Sequence, residues 1–272
     1  MDLGLAGATV VIAGGTKGMG LAAAECFAAD GANVAVLARR RDALDAALGS
    51  LRALGSPDPL AIETDLRAPA SIDGAFAQIG ERWGGTLNTL VNAVGPIDVG
   101  VSTRLEDLSD DEWAATFEIG TMSAVRCARA ALPMLRAAEW ARIVNISAHS
   151  VKRQSPDLVA YTASKAAMTS ISKNLSVALA SEEILVNTVS PGTFLSEGLE
   201  RHLATLAPDR GFDPTDLHDA MRAITEDFGH PAQMGRAGDP KEIGAVIAFV
   251  GSRVNSYMTG ADINVDGGSD FT

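Results

Sequence analysis

Val10-Val11-Ile12-Ala13-Gly14-Gly15-Thr16-Lys17-Gly18-Met19-Gly20, running on into Leu21-Ala22-Ala23-Ala24-Glu25-Cys26-Phe27, decides the fold of this 272-residue chain. A short β-branched run ends in a glycine triplet, and an alanine-rich helical stretch follows at once. Gly14, Gly18 and Gly20 let a turn close tightly, bring backbone N–H groups near a pyrophosphate and let the helix pack on a sheet. Thr16, Lys17 and Met19 lie in the same loop. Between a strand and a helix, at the head of a βαβ unit, the triplet points to a dinucleotide phosphate.

Outward from this loop, apolar runs alternate with amphipathic alanine-rich stretches. Strands are expected at Val10–Ala13, Asn33–Ala38, Leu60–Thr64, Thr89–Ala93, Arg142–Ser147, Leu185–Ser190 and Asp262–Val265. Their near-continuous hydrophobicity suits strands covered on both faces, joined by right-handed helical crossovers. The expected fold is α/β, a Rossmann-type doubly wound seven-stranded parallel sheet with helices on both faces. Ser109-Asp110-Asp111-Glu112 reads as a capping box, and Asp239-Pro240 as an N-cap before a proline at the first helical position. With no repeat, low-complexity tract or linker, residues 1–272 read as one domain. The segment between Gly192 and Gly235 is expected to hold helical pieces and no strand, with a substrate lid over about 193–235.

The chain is 47% hydrophobic and 5% aromatic, enough for a sizeable core, and its net charge is -12. That charge argues against nucleic acid or an anionic membrane as partner, because both select for basic patches. Cys26 and Cys127 fall in helical stretches without ligand spacing and read as buried small hydrophobes in a reducing compartment. His149, His202, His218 and His230 are scattered, so no metal is expected. The first apolar run has no basic segment before it and no run is long enough to span a membrane, so a cytoplasmic protein is expected.

Tyr161 and Lys165, in Tyr161-Thr162-Ala163-Ser164-Lys165, stand one helical turn apart and share a face. A free phenol titrates near ~10 and exchanges protons poorly at neutral pH. One ammonium at ~4 Å, with an effective dielectric of ~20, contributes about 4 kcal/mol, or roughly three pKa units. The spacing therefore predicts that Lys165 lowers the pKa of Tyr161. Cofactor choice follows from charge. The second strand ends in Arg39-Arg40-Arg41 without the carboxylate that a free ribose diol would want, and Lys17 sits in the glycine loop. NADP(H) is expected, with Arg39 and Lys17 on the 2′-phosphate, Arg40 beside them, Arg41 in a solvated helix start, and NAD(H) as the alternative.

These motifs, in this order, resemble the main, compact branch of the short-chain dehydrogenase/reductase family. The resemblance covers nearly the whole chain. Ala13 replaces the threonine of the family's TGxxxGxG, Leu90-Val91-Asn92-Ala93-Val94-Gly95 is similar to LVNNAG, and Asp65, with Leu66 beside it, matches the aspartate that contacts adenine. Ser190-Pro191-Gly192 matches the PG turn, and Asn264-Val265-Asp266-Gly267-Gly268 matches the terminal VDGG. The resemblance implies that Asn92, Ala93, Pro191, Gly192 and Phe194 line the cofactor, with Ser196 where a threonine contacts the nicotinamide carboxamide. It makes Tyr161 the general acid in carbonyl reduction and the base in alcohol oxidation, and lets Lys165 hold the nicotinamide ribose.

Two supporting residues of the family are replaced. Its serine stands thirteen residues before the tyrosine, where this chain has Ala148, and Ser147 and Ser150 flank the gap. Ser150 keeps the parity of 148 along the chain, whereas Ser147 needs a shifted register. Gly120 replaces the asparagine that marks a helix kink, and glycine permits the kink. The resemblance implies an oxidoreductase moving hydride between nicotinamide and a small carbonyl/alcohol substrate. Leu195, Leu199, Leu203, Leu206, Leu217, Met221, Ile224 and Phe228 suggest a hydrophobic substrate, or equally two amphipathic helices packing on the body. The alternatives are an NAD-linked alcohol or dihydrodiol dehydrogenase and a catalytically weak NADP(H)-binding sensor. Family members also assemble as homodimers or homotetramers through two long helices, here about 110–136 and 161–181.

Overall fold

The computed structural model describes residues 2–95 and 104–269. Seven parallel strands, β1 (Thr9–Ala13), β2 (Asn33–Ala38), β3 (Leu60–Glu63), β4 (Thr89–Asn92), β5 (Ala141–Ile146), β6 (Ile184–Pro191) and β7 (Asp262–Val265), form one sheet in the order β3-β2-β1-β4-β5-β6-β7. The order reverses between β1 and β4. That reversal opens a crevice at the carboxyl ends of both strands, the place where doubly wound sheets bind ligands.

Strand alternation sorts the apolar residues into two cores. Val10 and Ile12 of β1 join Ala24 and Phe27 of α1 (Gly18–Ala29), Leu44 and Leu51 of α2 (Arg41–Ala53), and Ile243 and Ile247 of α9 (Pro240–Val250). Val11 and Ala13 join the opposite face, with Ile72, Phe76 and Ile79 of α3 (Pro69–Arg82) and Cys127, Ala131 and Leu135 of α5 (Ser123–Ala137). Phe27 is fully buried, and its loss to alanine would cost about 3–5 kcal/mol.

Both expected helix starts carry reciprocal caps: Ser109 with Glu112 at α4 (Asp110–Phe117), and Asp239 with Glu242 at α9. The long helix expected over 110–136 is interrupted, because a π turn over Glu118–Met122 separates α4 from α5. Gly120 weakens the helical ladder there, and the Thr121 hydroxyl donates 2.8 Å to the Ser164 carbonyl, drawing the turn toward α6 (Val159–Leu179). Beyond β6 the cover holds α7 (Glu197–Arg210) and α8 (Leu217–Phe228), and an isolated parallel bridge between Phe194 and Gly238 closes its base. No helix among the described residues is long and apolar enough to cross a membrane.

Candidate active site

The glycine loop closes directly on the end of β1. Gly14 sits at φ +85° and donates 2.9 Å to the Leu37 carbonyl, and a Cβ at Gly20 would lie 2.2 Å from the Gly14 oxygen. Only glycine allows that approach. Lys17, extended at φ -161°, precedes α1 without making a side-chain cap, and the helix has no acidic residue in its first turn. The first N–H groups of α1 therefore face an uncapped, positive helix end suited to a phosphate. Thr16, Gly18 and Met19 complete the loop, and a Cβ at Gly18 would lie 3.5 Å from Ser196 Cβ, so the cover begins against it.

At the ends of β2 and β3 the charges divide. Arg40 donates 3.0 Å to Asp42, and Arg41 pairs with Asp45 at 3.1 Å, so both serve the start of α2. Arg39 is exposed and lies near Asp65, whose carboxyl is held below the usual range by hydrogen bonds from Arg67 and, more weakly, by Arg39. Leu66 buries its side chain in the core, so any contact it offers is through its main chain. Arg39 follows β2 directly, with no carboxylate in that place, so a cation stands where the adenosine ribose of a dinucleotide would end.

Lys165 is 3% exposed, and its ammonium donates 2.8 Å to the Ile146 carbonyl and 3.3 Å to the Val94 carbonyl, at the ends of β5 and β4. Burial lowers its pKa to about 8. Tyr161 lies on the same face of α6, half-buried, and burial pushes its phenol up to about 12. The lowering expected from spacing alone is not what the structure shows. The ammonium is engaged by the Ile146 and Val94 carbonyls, and burial alone sets the direction of the Tyr161 shift. Asn92 donates through Nδ2 to Asn145 Oδ1 at 2.7 Å, whereas its own Oδ1 is buried without a partner among the described residues. Ala93 pairs its N–H with the Ala13 carbonyl at 2.9 Å, which brings the ends of β1 and β4 together.

The two flanking serines separate cleanly. Ser147 Oγ lies 2.8 Å from Thr169 Oγ1 and donates 3.2 Å to the Lys165 carbonyl, so it braces β5 against α6. Ser150 is 3% exposed, and its hydroxyl finds no partner among the described residues. It sits in the 3₁₀ turn His149–Val151, two residues beyond the extended and buried Ala148.

On the far wall, Gly192 donates 2.9 Å to the Val265 carbonyl, and a Cβ there would fall 2.7 Å from the Asp266 backbone. Phe194 is buried in the main core with its ring against Gly238, so its side chain is a wedge under the cover. Ser196 caps α7, accepting 3.4 Å from the Leu199 N–H. Leu195, Leu199, Leu206 and Leu217 pack around Leu203, Phe212, Ala220, Ala223 and Ala237 in a small core inside the cover itself. These leucines are accounted for without an apolar substrate.

Sequence reasoning missed a junction beside this wall. His149 and His230, far apart in the chain, meet edge to face with ring centroids 5.4 Å apart. Arg153 donates to the Ser269, Gly229 and Pro231 carbonyls at 2.7, 3.2 and 3.4 Å. No local signal announces such a contact, since each partner is a lone polar residue in a loop.

The comparisons with known proteins agree with this fold. A family model described as Enoyl-(Acyl carrier protein) reductase matches residues 13–270. The rhamnolipids biosynthesis 3-oxoacyl-[acyl-carrier-protein] reductase of Pseudomonas aeruginosa is 31% identical over 269 residues, covering 97% of this chain and 96% of that protein. The L-sorbose reductase of Gluconobacter frateurii, solved with NADPH and L-sorbose, superposes with a TM-score of 0.91 at 29% identity over all of both chains. A Pseudomonas aeruginosa RhlG/NADP active-site complex gives 0.84 at 30% identity over 98% of each. With its parallel sheet, its glycine loop and the Tyr161 and Lys165 pair, the chain belongs to the short-chain dehydrogenase/reductase family of oxidoreductases.

Proposed function

We propose that this oxidoreductase uses NADP(H) and acts on a carbonyl/alcohol pair. The observation that carries the proposal is the anchoring of Lys165, one helical turn from Tyr161, to the Ile146 carbonyl at the end of β5 and to the carbonyl of Val94, the residue packed against Gly14 of the glycine loop. Two solved relatives, at 29% and 30% identity, hold NADPH or NADP. When bound, the cofactor supplies or accepts the hydride.

The chain's own residues do the rest. The α1 N-terminus binds the pyrophosphate, Arg39 and Lys17 bind the 2′-phosphate and Asp65 the adenosine end. Tyr161, with a phenol raised to about 12, holds its proton at neutral pH and donates it to the substrate oxygen in reduction. Lys165, charged below about 8, stabilises the phenolate as that proton leaves. Ser150 orients the substrate oxygen in place of the serine absent at 148, while Ser147 remains a brace.

A panel of aldehydes, ketones and hydroxyketones, read as nicotinamide consumed, tests the proposal. NADPH should outperform NADH, and Tyr161→Phe should abolish turnover while NADPH binding persists. Tight NADPH binding with no turnover across the panel would make the protein a cofactor-binding sensor instead.

A further inference from the structure

The junction beside the site brings four segments to one point. His149 Nδ1 lies 3.1 Å from the Pro191 carbonyl. A carbonyl only accepts, so Nδ1 carries the hydrogen, and neutral His149 leaves Nε2 as a bare acceptor. That nitrogen is fully buried and has no partner among the described residues. Its ring packs against His230, which is 3% exposed and whose Nε2 lies 3.2 Å from the Gln154 carbonyl. His230 follows α8 and thus belongs to the cover.

We propose that His149 is a positioning residue that locks the Pro191–Gly192 turn to the segment after α8 only while its imidazole is neutral. A proton added to Nε2 would be a buried donor with no acceptor, held against a second imidazole. The groups facing His149 are His230 from the cover, Arg153 from its own loop, Asp266 from the segment after β7, and the Pro191 carbonyl from β6. Burial, His230 and Arg153 oppose the proton, and Asp266 and the carbonyl favour it. Burial is the largest of these, so protonation loosens the stack. The turn and the cover then part together. The proposal rests on the reading of Pro191 and Gly192 as cofactor-lining.

Hydrogen exchange on the protein without substrate tests it independently of turnover. Between about pH 8 and about pH 5.5, after correction for the intrinsic rate, amides at 192–196 and 229–235 should lose protection together, with the loss setting in as pH falls through the ordinary imidazole value of about 6.5 and approaching about tenfold per pH unit until the stacked His149 itself takes up the proton. His149→Asn keeps a donor for the Pro191 carbonyl but cannot titrate, and should hold its protection across the range. With a substrate from the panel, KM in the wild type should rise over the same window while kcat stays level, and His149→Asn should flatten that rise. If His149→Asn does not fold, His149→Gln, which also carries an amide and cannot titrate, must give the same flattening. Independent loss of protection in the two segments, or an unchanged acid limb in either variant, overturns the proposal. Coupled exchange without any turnover would support it while refuting the enzyme reading.

Discussion

Replacing Ser150 with alanine should make the protein more stable and less active. The hydroxyl is buried at 3% exposure and finds no partner among the described residues. A buried polar group left unsatisfied costs about 1–3 kcal/mol. Serine-to-alanine removes that cost and leaves a gap of a single oxygen, so about 1–2 kcal/mol should be gained, raising Tm by about 2–6 °C. If Ser150 orients the reacting oxygen, the same change removes a preorganised donor and lowers kcat by about 10²–10³. Ser147→Ala should behave oppositely in stability. It deletes contacts to Thr169 Oγ1 at 2.8 Å and to the Lys165 carbonyl at 3.2 Å, for about 0.5–1.5 kcal/mol each. Thermal unfolding by circular dichroism, paired with initial rates at saturating NADPH, reads both effects. A fall in Tm for Ser150→Ala, or a kcat within about threefold of wild type, would refute the assignment. Ala148→Ser added to Ser150→Ala should restore part of the rate, since the family places its serine at that position.

Arg39→Asp should move the ratio of kcat/KM toward NADH, because a carboxylate repels the 2′-phosphate and accepts from a free diol; an unchanged ratio would remove Arg39 from the cofactor site. Lys165 titrates near 8, so carbonyl reduction should hold below that pH and fall above it, as measured by a pH–rate profile. The same group gives a stability signature. Its pKa is below the ordinary value, so the cost of its buried charge is in full force below about 8 and is relieved as pH rises toward ~10.4, and Lys165→Met should abolish that rise in chemical denaturation. Light scattering should report a mass above 28.1 kDa if the chain assembles as its family does, and Val177→Glu, at a 73% exposed apolar position on α6, should lower it.

The strands were legible because a parallel sheet covered on both faces writes itself as apolar runs. β2 and β7 fall where the sequence puts them, and the others shift by a residue at one end or both. Capping was legible at Ser109 and Asp239 because both partners lie within four residues. What the sequence could not carry is contact at a distance. Ser147 and Ser150 look alike until Thr169, 22 residues on, occupies one of them. The spacing of Tyr161 and Lys165 fixes their shared face, but the Lys165 hydrogen bonds go to Ile146 at the end of β5 and to Val94 in the segment after β4, both distant in sequence. The cover leucines read equally well as a substrate wall or a satellite core, and only their neighbours decide.

The two-sided burial of β1 has a consequence for how the sheet keeps its alignment. Val10 and Ile12 feed one core and Val11 and Ala13 the other, so a slip by one residue would expose no apolar side chain. Polarity cannot distinguish the correct pairing from its neighbour. The distinction rests on Thr9, whose N–H donates 3.0 Å to Asn88 Oδ1 while the Asn88 N–H donates 3.2 Å to Thr9 Oγ1, and on the Gly14 turn at the other end. Substitutions among apolar residues in the strand middles are thus interchangeable as far as alignment goes, while those few polar positions act as its address marks. Apolar-for-apolar exchange at the centre of β1 should leave its pairing in register, whereas substitution at Thr9 or Gly14 should disturb it.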